Sequence, residues 1–235
     1  MTTPEIDESI KTPAEIEALV ETETRKRVAE IVSRLPRALV RLAGVEGREE
    51  RASLENCRDR SAVEALSSWL TTGTEPFFLV RGECGRGKTW LASAAIVDTI
   101  LEDFASGRPG SAWESPALFV SVDDFVCQVQ ACYGHPDRDT EDVLAKYRRS
   151  RLLAIDDLGR STLTADALRW VERLVDSRWR REDGKTIITT TRRIHDDPAK
   201  TDSDSIAARM GRHLASRLSE SRRVTLTGPD YRRRE

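Results

Sequence analysis

Residues 82–89 read Gly82-Glu83-Cys84-Gly85-Arg86-Gly87-Lys88-Thr89 and match G-x-x-x-x-G-K-T, the pattern of a phosphate-binding loop, or P-loop. The apolar run Phe77-Phe78-Leu79-Val80 precedes the loop and predicts a buried strand. Apolar residues recur at helical spacing from Leu91 to Ile100 and predict a helix. Because the motif requires a strand before it and a helix after it, we interpret the match as a nucleotide-binding loop rather than a chance glycine-rich turn.

The residue types of the loop indicate how it binds phosphate. Glycines let the backbone turn tightly and direct its N–H groups at phosphate oxygens, and the N-terminus of the helix adds a partial positive charge. The Lys88 ammonium can reach the β- and γ-phosphates, and the Thr89 hydroxyl can hold Mg²⁺. The predicted nucleotide-binding residues are Gly82, Gly85, Gly87, Lys88, Thr89 and Trp90.

The composition predicts a soluble globular protein, with 33% charged residues and a mean hydropathy of −0.51. The sequence has no apolar run of about 18 residues, so neither a membrane span nor a membrane partner is expected. The first residues lack the pattern of a secretory signal, which makes the cytoplasm the expected location. The four cysteines include no C-x-x-C pair, so a zinc site is not expected.

The charge of the chain limits its modes of binding nucleic acid. A formal net charge of −2 argues against a protein that coats nucleic acid without specificity. Of the 38 basic residues, 32 are arginine, which suits bidentate contacts with phosphate. A codon bias of a GC-rich genome is the alternative explanation of this excess, and both explanations stay open.

Predicted strands alternate with predicted helices along the chain. The predicted strands are 77–80, 117–122, 152–157, 185–190 and 223–227, and the predicted helices are 61–70, 91–104, 124–133, 140–149, 164–181 and 206–218. This alternation predicts an α/β fold with a parallel sheet that helices cover on both faces. In such sheets the functional site lies at the carboxyl ends of the strands.

The N-terminal part of the chain is predicted to be a separate segment. Thr12-Pro13-Ala14-Glu15 reads as a helix start, and apolar residues then recur over about 13–43, with a kink or a break expected at Pro36. We predict a tail and helical appendage at 1–46 and a nucleotide-binding domain at 47–235. The helix either docks a partner or packs on the main domain, and the sequence leaves both open.

Two carboxylates and a threonine run form a second group of candidate residues. The predicted strand at 152–157 ends in two carboxylates, of which Asp156 is expected to hold Mg²⁺ and Asp157 is a candidate base or orienter of water. The alternative is that one of the two carboxylates only caps the next turn. The next strand leads into Thr191, whose hydroxyl is predicted to orient water between the ends of the other two strands; an ordinary β-rich threonine run is the alternative. Arg217 is a candidate for contact with a neighbour's nucleotide, although spacing alone favours a solvated basic face.

The order of these motifs resembles the AAA+ ATPases of the DnaC/IstB type, which are helicase loaders and ATP-binding partners of insertion-sequence transposases. The resemblance covers roughly residues 47–232. The stretches that carry it are ASLENC at 52–57, the P-loop, ALFVSVDDF at 117–125, LLAIDDLG at 152–159, IITTT at 187–191, HLASRL at 213–218 and GPDYR at 228–232.

The resemblance implies an ATPase with a five-stranded parallel sheet, ATP and Mg²⁺ as ligands, and no C-terminal lid. It also implies assembly into a homo-oligomer when ATP is bound, with Arg217 acting on the next subunit's ATP. Single-stranded DNA is the favoured nucleic acid, with phosphate contacts supplying most of the affinity. The candidate phosphate contacts are Arg148, Arg149, Arg222, Arg223 and Arg232 to Arg234.

Three functions agree with this resemblance. The first is a helicase loader that delivers a replicative helicase to DNA, and the second is a transposition accessory ATPase that acts with a transposase on target DNA. The third is a nucleotide-dependent interaction module with little turnover. Two departures from the family pattern permit the third: Thr191 stands where asparagine is typical, and His213 stands where arginine is usual.

Overall fold

The computed structural model describes residues 36–106, 117–195, 197 and 202–232. Residues Val40–Glu235 make up one compact unit, which begins before the predicted boundary at residue 47. The predicted helix over 13–43 lies outside the described residues up to residue 35, and residues 36–42 are helical.

Five parallel strands form a single sheet, which confirms the predicted α/β class. The strands are β1 (Phe77–Gly82), β2 (Ala117–Ser121), β3 (Leu152–Asp156), β4 (Lys185–Thr190) and β5 (Arg222–Leu226). They run in the order β2-β3-β4-β1-β5, and every neighbouring pair is parallel. The strand that leads to Thr191 therefore lies between the strand before the P-loop and the strand that ends in Asp156, as predicted.

Helices flank the sheet and connect its strands. They are α1 (Arg60–Thr72), α2 (Lys88–Ala105), α3 (Val122–Gln130), α4 (Thr140–Arg149), α5 (Ala165–Trp179), α6 (Ile206–Met210) and α7 (Arg212–Ser219). Short 3₁₀ turns at Gly47–Arg51 and Leu54–Asn56 precede them. Among the described residues, no helix combines the length and the apolar character that crossing a bilayer requires.

The prediction of one continuous helix over 206–218 is wrong. Gly211 interrupts it with φ 92° and ψ 157°, a conformation that residues with a side chain rarely adopt. The helical periodicity of the apolar residues continues across Gly211, so the pattern gave no sign of the break. The interruption frees α7 to take its own direction, and α7 packs against α5.

The interior strand β1 is buried in the core, and its residues Phe77 to Val80 are each at most 1% exposed. Burial of successive residues means that both faces of the strand are covered, as is typical of a central strand in a parallel sheet. The continuous apolar run before the P-loop predicted this burial. The sheet therefore holds the start of the loop on a rigid support.

Arg178 is fully buried beside the amino ends of β3 and β4. Its guanidinium donates to the Ser150 carbonyl at 2.5 Å, to the Lys185 carbonyl at 2.7 Å and to the Thr186 hydroxyl at 2.8 Å. Burial lowers the pKa of Arg178 to about 9, so the side chain stays charged at neutral pH. Its hydrogen bonds hold together the amino ends of β3 and β4, at the end of the sheet opposite the P-loop.

Candidate functional site

The P-loop backbone depends on glycine at two turns and at one close strand contact. Gly85 and Gly87 have φ of 76° and 87°, in the left-handed region that favours glycine. A Cβ at Gly85 would also lie 1.7 Å from a carboxylate oxygen of Asp230. Gly82 ends β1, where a Cβ would lie 2.9 Å from the carbonyl oxygen of Leu226.

The N-terminus of α2 has the features of an anion-binding site. Gly87 is the N-cap and provides no side-chain hydrogen bond, so the first helical N–H groups are not capped by a side chain. Lys88 is 5% exposed, and its Nζ donates to the Glu83 carbonyl at 2.9 Å. Burial lowers the pKa of Lys88, while the negative charge of Asp157 opposes this effect. An anion bound beside the ammonium would favour its charged form.

Asp156 is the centre of a buried hydrogen-bond network. Its carboxylate accepts the Thr89 hydroxyl at 3.0 Å and the Thr189 hydroxyl at 2.5 Å. Burial raises the pKa of Asp156, and the two hydroxyl hydrogen bonds oppose that rise. The Thr89 hydroxyl and the Asp156 carboxylate, the two predicted Mg²⁺ ligands, are thus brought together as hard oxygen donors.

Asp157 has the only positive φ, 58°, among the described residues other than glycine. Its side chain lines a cavity that opens above the P-loop and is described below. The carboxylate forms an ion pair with Arg160 at 2.8 Å. The backbone N–H of Asp157 donates to the Thr189 hydroxyl at 2.9 Å. Strained backbone of this kind is concentrated at functional sites, so the geometry fits a catalytic carboxylate without testing the prediction.

The hydroxyls of the threonine run 189–191, at the end of β4, have different surroundings. Thr189 contacts Asp156, Thr190 donates to the Leu158 carbonyl at 2.6 Å, and Thr191 lines the cavity. The role of Thr191 in orienting water stays a prediction. Thr189 was not singled out from the sequence, because only the pairing of β3 with β4 determines which hydroxyl faces Asp156.

A cavity of about 500 Å³ opens above the P-loop. This volume lies within the range of about 300–1,000 Å³ that is typical of small-molecule sites. Basic side chains outnumber acidic ones in its lining, so a polyphosphate would be attracted to it. The basic residues are Arg48, Arg58, Arg86, Lys88, Arg160, Arg192 and Arg232, and the acidic ones are Glu49, Asp59 and Asp157.

The C-terminal GPDYR stretch folds against the P-loop. The N–H of Tyr231 donates to the Gly85 carbonyl at 2.9 Å, and the Arg58 guanidinium lies 4.5 Å from the centre of the Tyr231 ring. Arg232 lines the cavity, although the charge run alone suggested a DNA contact for it. The close approach of this stretch to Gly85 could not be recognised from residue types.

The predicted nucleotide contact Trp90 lies at the outer part of the cavity. Its indole Nε1 donates to the Asn56 amide oxygen at 2.8 Å, and both residues line the cavity. Asn56 belongs to the lead-in stretch that the resemblance includes. Residues of the lead-in stretch, the P-loop helix and the C-terminal stretch thus line the same cavity.

Arg217 is not among the described residues that line this cavity. It lies on α7, and its Nε donates to Asp176 of α5 at 2.9 Å. This position gives no support to a contact with the nucleotide of the same chain. A contact with the nucleotide of a neighbouring copy stays a prediction.

The family described as IstB-like ATP binding protein matches this chain over residues 5–235. No curated protein matches the sequence. The family match covers nearly the whole chain and agrees with the resemblance drawn from the motifs.

Solved structures of replication proteins share the fold. The DnaC helicase loader matches with a TM-score of 0.58 and 19% identity, over 77% of this chain and 100% of that one. DnaI matches with a TM-score of 0.53 and 20% identity, over 78% of this chain and 92% of its own. A DnaA structure with AMPPCP and single-stranded DNA matches with a TM-score of 0.53 and 22% identity, over 76% of this chain and 50% of its own. At these identities the likeness shows the fold, that of P-loop AAA+ ATPases.

Proposed function

This chain belongs to the family of IstB-like ATP binding proteins, and we propose that it binds Mg-ATP above the P-loop and hydrolyses it. The observation that carries the proposal is the 3.0 Å hydrogen bond from Thr89, which lines a cavity rich in basic residues, to the buried carboxylate of Asp156. Two hard oxygen donors beside an uncapped helix N-terminus fit a magnesium–phosphate group. Lys88 and the backbone N–H groups of the loop bind the phosphates.

The residues around the phosphates have separate roles in this proposal. Thr89 and Asp156 hold Mg²⁺, which supplies positive charge to the phosphate oxygens when it is bound. Asp157 accepts a proton from the attacking water or orients that water, and Arg160 holds its carboxylate in place. Thr191 contributes a hydroxyl to the same water.

The finer function that we propose is that of a helicase loader. The chain assembles on single-stranded DNA when ATP is bound and delivers a partner helicase. The fold likeness to the DnaC helicase loader and to a DnaA structure with single-stranded DNA supports this choice. Arg217 acts on the ATP of the next subunit in the assembly.

A second candidate is a transposition accessory ATPase that acts with a transposase on duplex target DNA. The IstB-like family match over residues 5–235 favours it. The two candidates differ in the DNA that should stimulate hydrolysis, single-stranded for a loader and duplex for a transposition partner.

Phosphate release from ATP tests the proposal and separates the candidates. We expect magnesium-dependent release that single-stranded DNA increases more than duplex DNA of the same sequence. A larger increase with duplex DNA would favour the transposition role. Tight ATP binding without release under any of these conditions would contradict the enzymatic proposal and leave a nucleotide-dependent interaction module.

A further inference from the structure

Two side chains of α5 hold Arg217 in one orientation. Its Nε donates to Asp176 Oδ1 at 2.9 Å, and its guanidinium carbon lies 3.8 Å from the centre of the Trp179 ring. Asp176 and Trp179 are three residues apart and so lie on the same face of α5. A guanidinium that stacks on an indole and binds a carboxylate at once has little freedom to rotate.

The orientation leaves the outer end of the guanidinium available. Among the described residues, neither terminal nitrogen of Arg217 has a hydrogen-bond partner, and the side chain is 25% exposed. A guanidinium that is fixed through Nε keeps both terminal nitrogens for a bidentate contact with phosphate.

The partners of Arg217 are themselves fixed. The Trp179 indole Nε1 donates to Glu220 at 3.0 Å, which holds the ring plane. His213, one turn before Arg217 on α7, has its Nε2 3.3 Å from the same Asp176 oxygen. Arg180 reaches the other oxygen of Asp176 at 3.3 Å. His213 and Arg180 therefore hold Asp176 while it orients Arg217.

We infer that Asp176 and Trp179 are positioning residues that aim Arg217 at the γ-phosphate of ATP bound to a second copy of this chain. The inference rests on the proposed function, in which Arg217 acts on a neighbour. A misplacement of about 1 Å at a reacting group can reduce a rate about 100-fold, so loss of either positioning residue should inactivate Arg217 without removing it.

Mixing two inactive variants tests this inference. Arg217→Ala subunits keep their ATP site but provide no arginine, and Lys88→Ala subunits lack a working site but provide Arg217. Their mixture should regain at least about tenfold in ATP turnover over either variant alone, because an arginine supplied to a neighbour is worth several orders of magnitude. The donor is then changed to Lys88→Ala with Asp176→Asn, or Lys88→Ala with Trp179→Leu, and both should fail to restore turnover.

Matched donors control for charge and for loss of an indole. Lys88→Ala combined with Glu182→Gln removes an exposed carboxylate just after α5, and Lys88→Ala combined with Trp170→Leu removes the tryptophan that stacks on Arg173 at 4.5 Å. Both should restore turnover as well as Lys88→Ala alone. A donor with Asp176→Glu should restore it in part, since a longer carboxylate still orients the guanidinium.

The outcomes distinguish the positioning roles of Asp176 and Trp179 from the role of Arg217 itself. Restoration by the Asp176→Asn and Trp179→Leu donors would overturn the positioning roles while leaving Arg217 as a residue that acts on a neighbour. Failure of the plain Lys88→Ala donor, or full activity of Arg217→Ala alone, would overturn the role of Arg217 and the inference with it. Thermal melting of each donor identifies a variant that fails to fold, and such a variant is replaced by Asp176→Ser or Trp179→Met, which should likewise fail to restore turnover.

Discussion

The Thr189 hydroxyl donates a 2.5 Å hydrogen bond to the Asp156 carboxylate. The same hydroxyl oxygen accepts the backbone N–H of Asp157 at 2.9 Å. One side chain of β4 thus fixes both the proposed magnesium ligand and the backbone of the proposed catalytic residue.

Thr189→Val should reduce magnesium-dependent turnover at least about tenfold, because a hydrogen bond to a charged group contributes about 1.5–3 kcal/mol and valine supplies none. Steady-state kinetics over a range of Mg²⁺ concentrations measure the effect. Thr190→Val is the matched control, since that hydroxyl binds the Leu158 carbonyl instead. Equal losses in the two variants would show that Thr189 has no special role.

Lys88→Ala should weaken ATP binding at least tenfold, because charge-assisted contacts with phosphate are among the strongest in proteins, at about 1.5–3 kcal/mol each. Isothermal titration with a non-hydrolysable ATP analogue measures it. Lys146→Ala, at an exposed position of α4, is the control. If Lys88→Ala kept the affinity and turnover of the parent, the P-loop would not be the ATP-binding site.

Asp157→Asn should leave ATP binding intact and slow hydrolysis about 100-fold, the size of effect typical of a positioned acid or base. Binding and single-turnover hydrolysis, measured on the same preparation, separate the two steps. Asp137→Asn, in an exposed loop, is the control. If Asp157→Asn hydrolyses ATP at the parent's rate, Asp157 is not the catalytic carboxylate.

Arg178→Met should destabilise the fold by at least about 3 kcal/mol, because three buried oxygen acceptors lose their donor at about 1–3 kcal/mol each. Urea unfolding followed by circular dichroism measures the change. Arg173→Met removes an exposed arginine from the same helix and should change stability little. Similar midpoints for the two variants would contradict the structural role of Arg178.

The stability supplied by Asp176 should depend on pH in one direction. Burial raises its pKa, but the Arg217 hydrogen bond and the His213 and Arg217 charges outweigh burial and hold the pKa of Asp176 below 3.8. A lowered folded-state pKa stabilises the protein above the unfolded value and stops doing so as the pH falls through the folded value. The melting temperature of the parent should therefore exceed that of Asp176→Asn at neutral pH.

This difference should persist down to about pH 4 and shrink at lower pH. Glu182→Gln serves as the charge-matched control in the same series. A difference between parent and Asp176→Asn that failed to shrink below about pH 4 would contradict the assignment of the ion pair.

Local patterns predicted the fold and the centre of the site. The P-loop could be predicted because its function requires fixed residue types at fixed spacing, and the strand that ends in Asp156 because it is continuously apolar. The break at Gly211 could not, because a single glycine is compatible with a helix until its φ is known. The contact of Thr189 depends on the pairing of β3 with β4, and the position of Arg232 depends on how the C-terminal stretch folds back on the P-loop. Neither can be read from local residue types.

ATP turnover per subunit, measured against protein concentration with and without single-stranded DNA, tests the central claim most directly. We predict a rate that rises with concentration and with DNA, because each site needs Arg217 from a neighbour in a DNA-bound assembly. A rate per subunit that stays constant over the whole range, with or without DNA, would contradict hydrolysis between subunits.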